Sequence, residues 1–129
     1  MNTTASNAAD LAGRTFIALL FLVAGIGKLG AGYEGTQTYM EAMGVPGMLL
    51  PLVIALEIGG AILLIAGFRT RMTALALAAF TLLSALLFHV DFSDQMQQIM
   101  FLKNVAIAGG FLLLAARGAG GWSMDVRNA

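Results

Sequence analysis

Four apolar runs dominate the 129-residue sequence. Each is near the ~20 residues that an α-helix needs to cross ~30 Å of hydrocarbon. The first extends from about Leu11 to Gly30, with Thr15 to Gly27 free of charge between Arg14 and Lys28. The second extends from about Pro46 to Gly67 and is interrupted only by Glu57. The third covers about Arg71 to His89, and the fourth about Gln97 to Ala116, with Lys103 inside it. Little is left over for connections. Strict polar–apolar alternation is absent, and Leu, Ala, Met and Gly outnumber β-branched residues, so strands of a barrel are not expected. The runs predict an all-α integral membrane four-helix bundle, a single domain over residues 1–129 with spans of about 11–30, 46–67, 71–89 and 97–116.

Composition closes off the alternatives. Apolar residues make up 59% of the chain and charged residues 11%, against roughly 45–50% and ~25% in an average soluble protein. A small soluble domain needs more polar surface than this chain can supply, and the same deficit excludes disorder. Seven basic and seven acidic residues leave no basic face for nucleic acid. The absence of cysteine excludes disulfides, iron–sulfur clusters and dithiol chemistry, and one histidine is too few for a His-rich metal site. The eight methionines read as apolar filler. No metal, haem or flavin site is evident.

The distribution of Lys and Arg sets an expected orientation. With four spans, both termini and the connection between spans two and three share one side, which carries Arg14, Arg69, Arg71, Arg117 and Arg127. The other side has Lys28 with Glu34, Glu41, Asp91 and Asp94. The basic side is expected in the cytoplasm, with both termini there. Trp122 and Tyr33 are candidate interfacial anchors. A cleavable leader is the rival reading for span one, since its apolar core is short and Leu29-Gly30-Ala31 weakly resembles a cleavage site. Lys28 directly after the core argues for retention.

Local punctuation agrees with the four spans. Gly30, Gly32 and Gly35 break the first. Pro46 suits the first turn of the second, and Pro51, one turn further in, is expected to leave the Gly47 carbonyl without a donor and to kink the helix. Gly67 to Arg71 forms a tight turn, and Ser93 or Asp94 can cap the fourth helix. Thr36 to Met43 reads equally as a short interfacial helix or as a loop. Ala55/Gly59, Ala74/Ala78 and Ala106/Gly110 are small-residue pairs that let helices approach. Gly59 and Gly60 leave room beside Glu57.

Glu57 is the most informative residue. It stands about 11 residues into span two, roughly 16 Å deep at 1.5 Å per residue, where a charge costs on the order of 2.5–3.5 kcal/mol. The carboxyl must be protonated, paired or hydrated, which makes it a candidate acid or base. Lys103 can snorkel outward or turn inward to pair with Glu57. Asn104 beside it offers a donor and an acceptor. Lys28 has the same choice as Lys103, and His89, at the end of span three beside Asp91, titrates nearest neutrality. Lys28, Glu57, His89 and Lys103 come one from each span and all sit between the midplane and the outer surface, whereas the inner half holds no such group. Together they would form a polar pocket suited to an anion, a carbonyl-bearing lipid or a quinone head group.

These residues fall in motifs that resemble the DoxX family. Gly25-Ile26-Gly27-Lys28-Leu29 resembles the G-x-x-K-L end of its first helix, Gly44-Val45-Pro46 its G-[LV]-P entry to the second, and Glu57-Ile58-Gly59-Gly60 its E-x-x-G stretch. Gly67-Phe68-Arg69-Thr70-Arg71 resembles its G-x-x-T-R turn, and Phe88-His89 the end of its third helix. Lys103-Asn104-Val105-Ala106 with Gly109-Gly110 is similar to its K-N-x-A…G-G fourth helix, and Ser123-Met124-Asp125 to its S-L-D tail. The resemblance covers about residues 11 to 125. It implies a four-helix, multi-pass protein of the bacterial inner membrane, and it carries over Lys28, Glu57, His89, Lys103 and Asn104 as motif residues.

The resemblance also implies a function, since the family name derives from subunits of a membrane thiosulfate:quinone oxidoreductase. Other relatives are called oxidoreductases or linked to oxidative stress, and some distant ones are chaperones or cargo receptors. The expected role is therefore a redox-linked, quinone-interacting subunit in the lipid bilayer, served by a redox partner protein. Glu57, Lys103 and His89 would be its catalytic candidates, and Lys28, Asn104 and Gly60 would line the quinone site. The chain itself has no electron carrier. The alternatives are a non-enzymatic assembly, interaction or lipid-binding protein, in which the polar set is a brace, and a small proton-coupled transporter acting as a homo-oligomer.

Overall fold

The computed structural model describes residues 3–127. The side chain of Arg127, counted above among the charges of one face, lies outside that description. The described residues are helical, with no strand among them: α1 (Thr3–Gly27), α2 (Gly32–Ala42), a 3-10 turn (Gly47–Leu49), α3 (Leu50–Ala66), α4 (Thr70–Phe88), α5 (Gln95–Arg117) and α6 (Met124–Arg127). Four of these stretches are long and apolar enough to cross a membrane: Thr3–Gly27, Gly47–Ala66, Thr70–Phe88 and Gln95–Arg117. They match the expected spans except at the first. That helix begins at Thr3 rather than near Leu11, which places Arg14 well inside it.

The chain divides into two compact units, residues 1–68 with 119–129, and residues 69–118. In the first, α1 and α3 pack antiparallel. Their buried residues recur at three- and four-residue spacing, which gives each helix one seam. On α1 the seam is Arg14, Ala18, Phe21 and Gly25. On α3 it is Leu50, Ile54, Glu57, Ala61 and Leu64, with Gly60 beside it. Apolar side chains gain no hydrophobic drive by leaving lipid, so such a seam holds by close packing and by polar contacts that lipid cannot offer. Here its charged members are Arg14 and Glu57.

Arg14 is the buried charge that the sequence reading missed. Only 1% of it is exposed. Its Nη1 donates to the carbonyls of Leu64 at 2.8 Å and Ile65 at 3.1 Å, and its Nη2 to that of Trp122 at 2.6 Å. The last carbonyls of a helix have no partners within it, and a guanidinium fork supplies them while sitting at the negative end of the α3 dipole. The same side chain fastens the C-terminal segment, which is further held by Asp125 N–H on the Gly67 carbonyl (2.8 Å) and Gly121 N–H on Asn7 Oδ1 (3.0 Å). Gly67 ends α3 with φ 71°. A Cβ there would meet Ser123 Cβ at 2.5 Å and Arg14 Nη1 at 2.6 Å, so only glycine fits both the backbone and the space.

The second unit repeats the device. α4 and α5 are antiparallel, and Arg71 at the start of α4 donates to the Ala116 carbonyl at 3.0 Å and to those of Ala115 and Arg117 at 3.4 Å. The seam of α4 is Thr70, Thr73, Ala74, Leu77, Ala78, Thr81 and Ala85, and that of α5 includes Ala108 and Phe111. Thr81 is buried, and its hydroxyl bonds back to the Leu77 carbonyl at 2.6 Å.

Two expectations about the connections change. Pro51 does not kink a helix interior, because α3 begins at Leu50 and the proline falls in its first turn, where no N–H is needed. The Gly47 carbonyl is not orphaned either: it accepts from Leu50 N–H and, at 3.3 Å, from Gln37 Nε2. Asp94, rather than Ser93, caps α5, accepting from Met96 N–H at 3.0 Å. Ser93 instead donates through its hydroxyl and its N–H to Asp91 Oδ1.

Candidate functional site

The α1–α3 seam ends in a buried ion pair. Lys28 follows α1 directly and Glu57 lies mid-way along α3, and their Nζ and Oε1 atoms are 2.9 Å apart. Glu57 is 5% exposed. The Lys28 side chain keeps 24% exposure and also donates to the Ala24 carbonyl at 3.2 Å. The contact is an ion pair by distance, but its angle misses that of a well-formed hydrogen bond, and no other donor reaches the buried Oε1 among the described residues.

Glycine makes this contact reachable. A Cβ at Gly25 would meet Ile58 Cγ1 at 2.6 Å, Glu57 Cβ at 3.2 Å and the Ile58 nitrogen at 3.3 Å. The two backbones therefore approach closely at Gly25, three residues before Lys28. Gly60, buried, continues the same face of α3. Gly59 does not, since nothing lies within 4 Å of the space its side chain would fill. Of the small-residue pairs expected to pack, Ala74 and Ala78 are buried in α4. Ala55 and Ala106 are exposed. The motif glycine at position 25 is the one that sets a helix approach at the ion pair, and it was legible as a seam position three residues before Lys28.

The partner of Glu57 is thus Lys28. Lys103 belongs to the second unit, where it is exposed on α5. Asn104, one residue on, is half-buried and donates through Nδ2 to the Thr81 carbonyl at 3.4 Å, tying α5 to α4. His89 closes α4 through its N–H on the Ala85 carbonyl at 3.0 Å, and its Nδ1 stands 3.3 Å from Gln97 Oε1. The structure accordingly brings together Lys28, Glu57, Gly60 and Gly25 in one unit, and His89, Asn104 and Lys103 along the α4–α5 hairpin of the other.

The chemical capacity of the Lys28–Glu57 pair follows from its donors and acceptors. An ammonium carries three protons. One faces Glu57 and one the Ala24 carbonyl, which leaves one for a ligand oxygen. The carboxyl can hold or yield a proton where water is scarce. Among the described residues no cluster of three or more His, Asp or Glu side chains is arranged to hold a metal ion.

Comparison with known proteins places these features in a family. The DoxX family profile matches residues 9–90. The inner membrane protein YqjF of Escherichia coli K12 is 56% identical over 115 residues, which span 89% of this chain and 88% of that protein. The inner membrane protein YphA of the same organism is 39% identical over 124 residues, spanning 91% of this chain and 88% of its own length. No solved structure gives a significant match.

Proposed function

The chain belongs to the DoxX family and is a multi-pass inner-membrane protein, and we propose that within it the Lys28–Glu57 pair serves a quinone head group, making the protein a redox-linked membrane subunit. The observation that carries this reading is a carboxyl buried mid-helix in a membrane span, with a lysine at 2.9 Å that still has a proton to give and a quarter of its side chain exposed. Intramembrane ionisable pairs are costly and are kept where they handle protons or polar ligands.

The residues present fit such a group. A quinone, when bound, supplies two carbonyl acceptors and the capacity to take up two electrons and two protons. Lys28 would donate to a carbonyl oxygen through its remaining proton. Glu57, screened from water by the α1–α3 seam, would take a proton from the Lys28 ammonium and yield it toward the same locus, and Lys28 Nζ, on a side chain that keeps 24% exposure, would be reprotonated from water. Gly25 and Gly60 keep the two helices close enough for both groups to act at one point. The electrons would come from a partner protein or a soluble reductant, since the sequence has no cysteine. We further propose that both termini face the cytoplasm, from the arginine excess at that end, which puts the ion pair toward the outer leaflet.

Binding of a decyl-substituted benzoquinone to the protein in lipid nanodiscs tests this. Saturable binding at one quinone per chain should weaken at least tenfold in Glu57→Gln and in Lys28→Met, each still helical by circular dichroism. Equal binding by all three proteins would reduce the pair to a brace between helices and favour an assembly or interaction role.

A further inference from the structure

The connection between α1 and α3 is longer than two packed helices need. It holds the eleven-residue α2 and a 3-10 turn. α2 is fastened along one face. Met40 is buried, its carbonyl accepts from Val45 N–H at 2.8 Å, and Gln37 reaches the Gly47 carbonyl. A Cβ at Gly47 would meet Gln37 Cγ and Glu41 Oε1, both at 2.5 Å, so the helix lies directly on the turn. Gly30 and Gly44, with φ 60° and 83°, set the bends at either end.

The rest of α2 is divided. Glu34, Thr38 and Glu41 fall at i, i+4 and i+7, one polar stripe. Tyr39 and Met43 fall on a second stripe well round the helix, and both are exposed. Exposed apolar residues recur further along the chain at Met48, which is 81% exposed, Leu49 and Leu52. Leu52 is already in the membrane-spanning α3. The exposed apolar residues that follow α2 therefore lead directly into a helix long and apolar enough to cross a membrane. A helix with one apolar stripe and one charged stripe, joined through a short turn to a spanning helix, suits the boundary between headgroups and acyl chains.

We propose that α2 lies in the bilayer interface at the Lys28 end of the first unit, with Tyr39, Met43, Met48 and Leu49 immersed in lipid and Glu34 and Thr38 in water. The occupant of this apolar face is the bilayer. The inference stands apart from the quinone reading and needs none of its residues.

The absence of cysteine allows a direct test. Single substitutions Glu34→Cys, Thr38→Cys, Tyr39→Cys, Met43→Cys and Met48→Cys each carry one nitroxide label in nanodiscs of mixed phosphatidylethanolamine and phosphatidylglycerol. All five positions are exposed, so labelling leaves the packing intact. Accessibility to oxygen should exceed accessibility to a water-soluble nickel chelate by at least twofold at residues 39, 43 and 48. The order should reverse at 34 and 38. Chelate-favoured labels at all five positions would overturn the proposal by placing α2 in water. Labels at 43 and 48 shielded from both reagents would also overturn it, since protein rather than lipid would then cover that face.

Discussion

Arg14→Leu should unfasten one end of the first unit. The substitution removes the guanidinium that donates to the Leu64, Ile65 and Trp122 carbonyls. Leaving a buried acceptor without a donor costs about 1–3 kcal/mol for each such group, and the Leu64 carbonyl keeps a second donor, Gly67 N–H at 3.2 Å. Asp10 and Asp125, which lie close enough to act on the guanidinium, lose their counter-charge as well. Arg14→Lys should recover only part of the loss, because an ammonium cannot fork to carbonyls on two segments. Trp122 is the sole tryptophan and its own carbonyl is one of the acceptors, so its fluorescence reports the event locally. In SDS-titrated unfolding, the midpoint should fall steeply for Arg14→Leu and less for Arg14→Lys, and iodide should quench Trp122 more readily before unfolding begins. An unchanged midpoint with unchanged quenching would show that the C-terminal segment is held by something else.

The second large effect is an asymmetry within the ion pair. Lys28→Met removes the cation 2.9 Å from a carboxyl that is 5% exposed, and should cost about 3–5 kcal/mol because it leaves a buried charge uncompensated. Glu57→Leu should cost less, because Lys28 stands at the end of α1 with a quarter of its side chain exposed and can snorkel to water. The double substitution should sit within about 1–2 kcal/mol of the native protein, since apolar replacements of a buried pair are often neutral or stabilising. A double-mutant cycle by SDS titration checks all three values. Additive losses would mean that the two groups do not share an interaction, whatever their separation.

Much of this arrangement was legible before any coordinates. The four spans follow from the length and charge content of the apolar runs, and Glu57 stands out as the one acid inside them. Seam spacing carries further than composition alone. Counting back and forward from Glu57 by threes and fours reaches Leu50, Ile54, Gly60, Ala61 and Leu64, which are the other buried residues of α3. On α5 the same count puts Asn104 on the face of Ala108 and Phe111 and leaves Lys103 off it. That is why the asparagine ties two helices while the lysine is exposed.

Arg14 is not legible from the apolar run alone, which starts near Leu11 and leaves the arginine at its edge. An arginine three residues from a helix start is an ordinary topogenic charge. An arginine eleven residues past a start at Thr3, four residues before Ala18 and seven before Phe21, is a seam residue. The signal was Asp10 one turn earlier, an i, i+4 partner that makes sense only if the helix is already formed there. The pairing of Lys28 with Glu57 depends on Gly25, whose missing side chain sets the approach of α1 to α3. Pairing between helices is decided by such local packing, which axial counting does not register.

The most direct test of the account is the lipid that the protein carries with it. Native protein and Glu57→Gln would be purified side by side in mild detergent, extracted, and assayed for quinone by chromatography. The account predicts near-stoichiometric quinone in the native preparation and its loss from Glu57→Gln while helical content is kept. Quinone absent from both, or retained equally by both, would contradict a ligand role for the Lys28–Glu57 pair and leave it as a contact that fixes how α1 sits on α3.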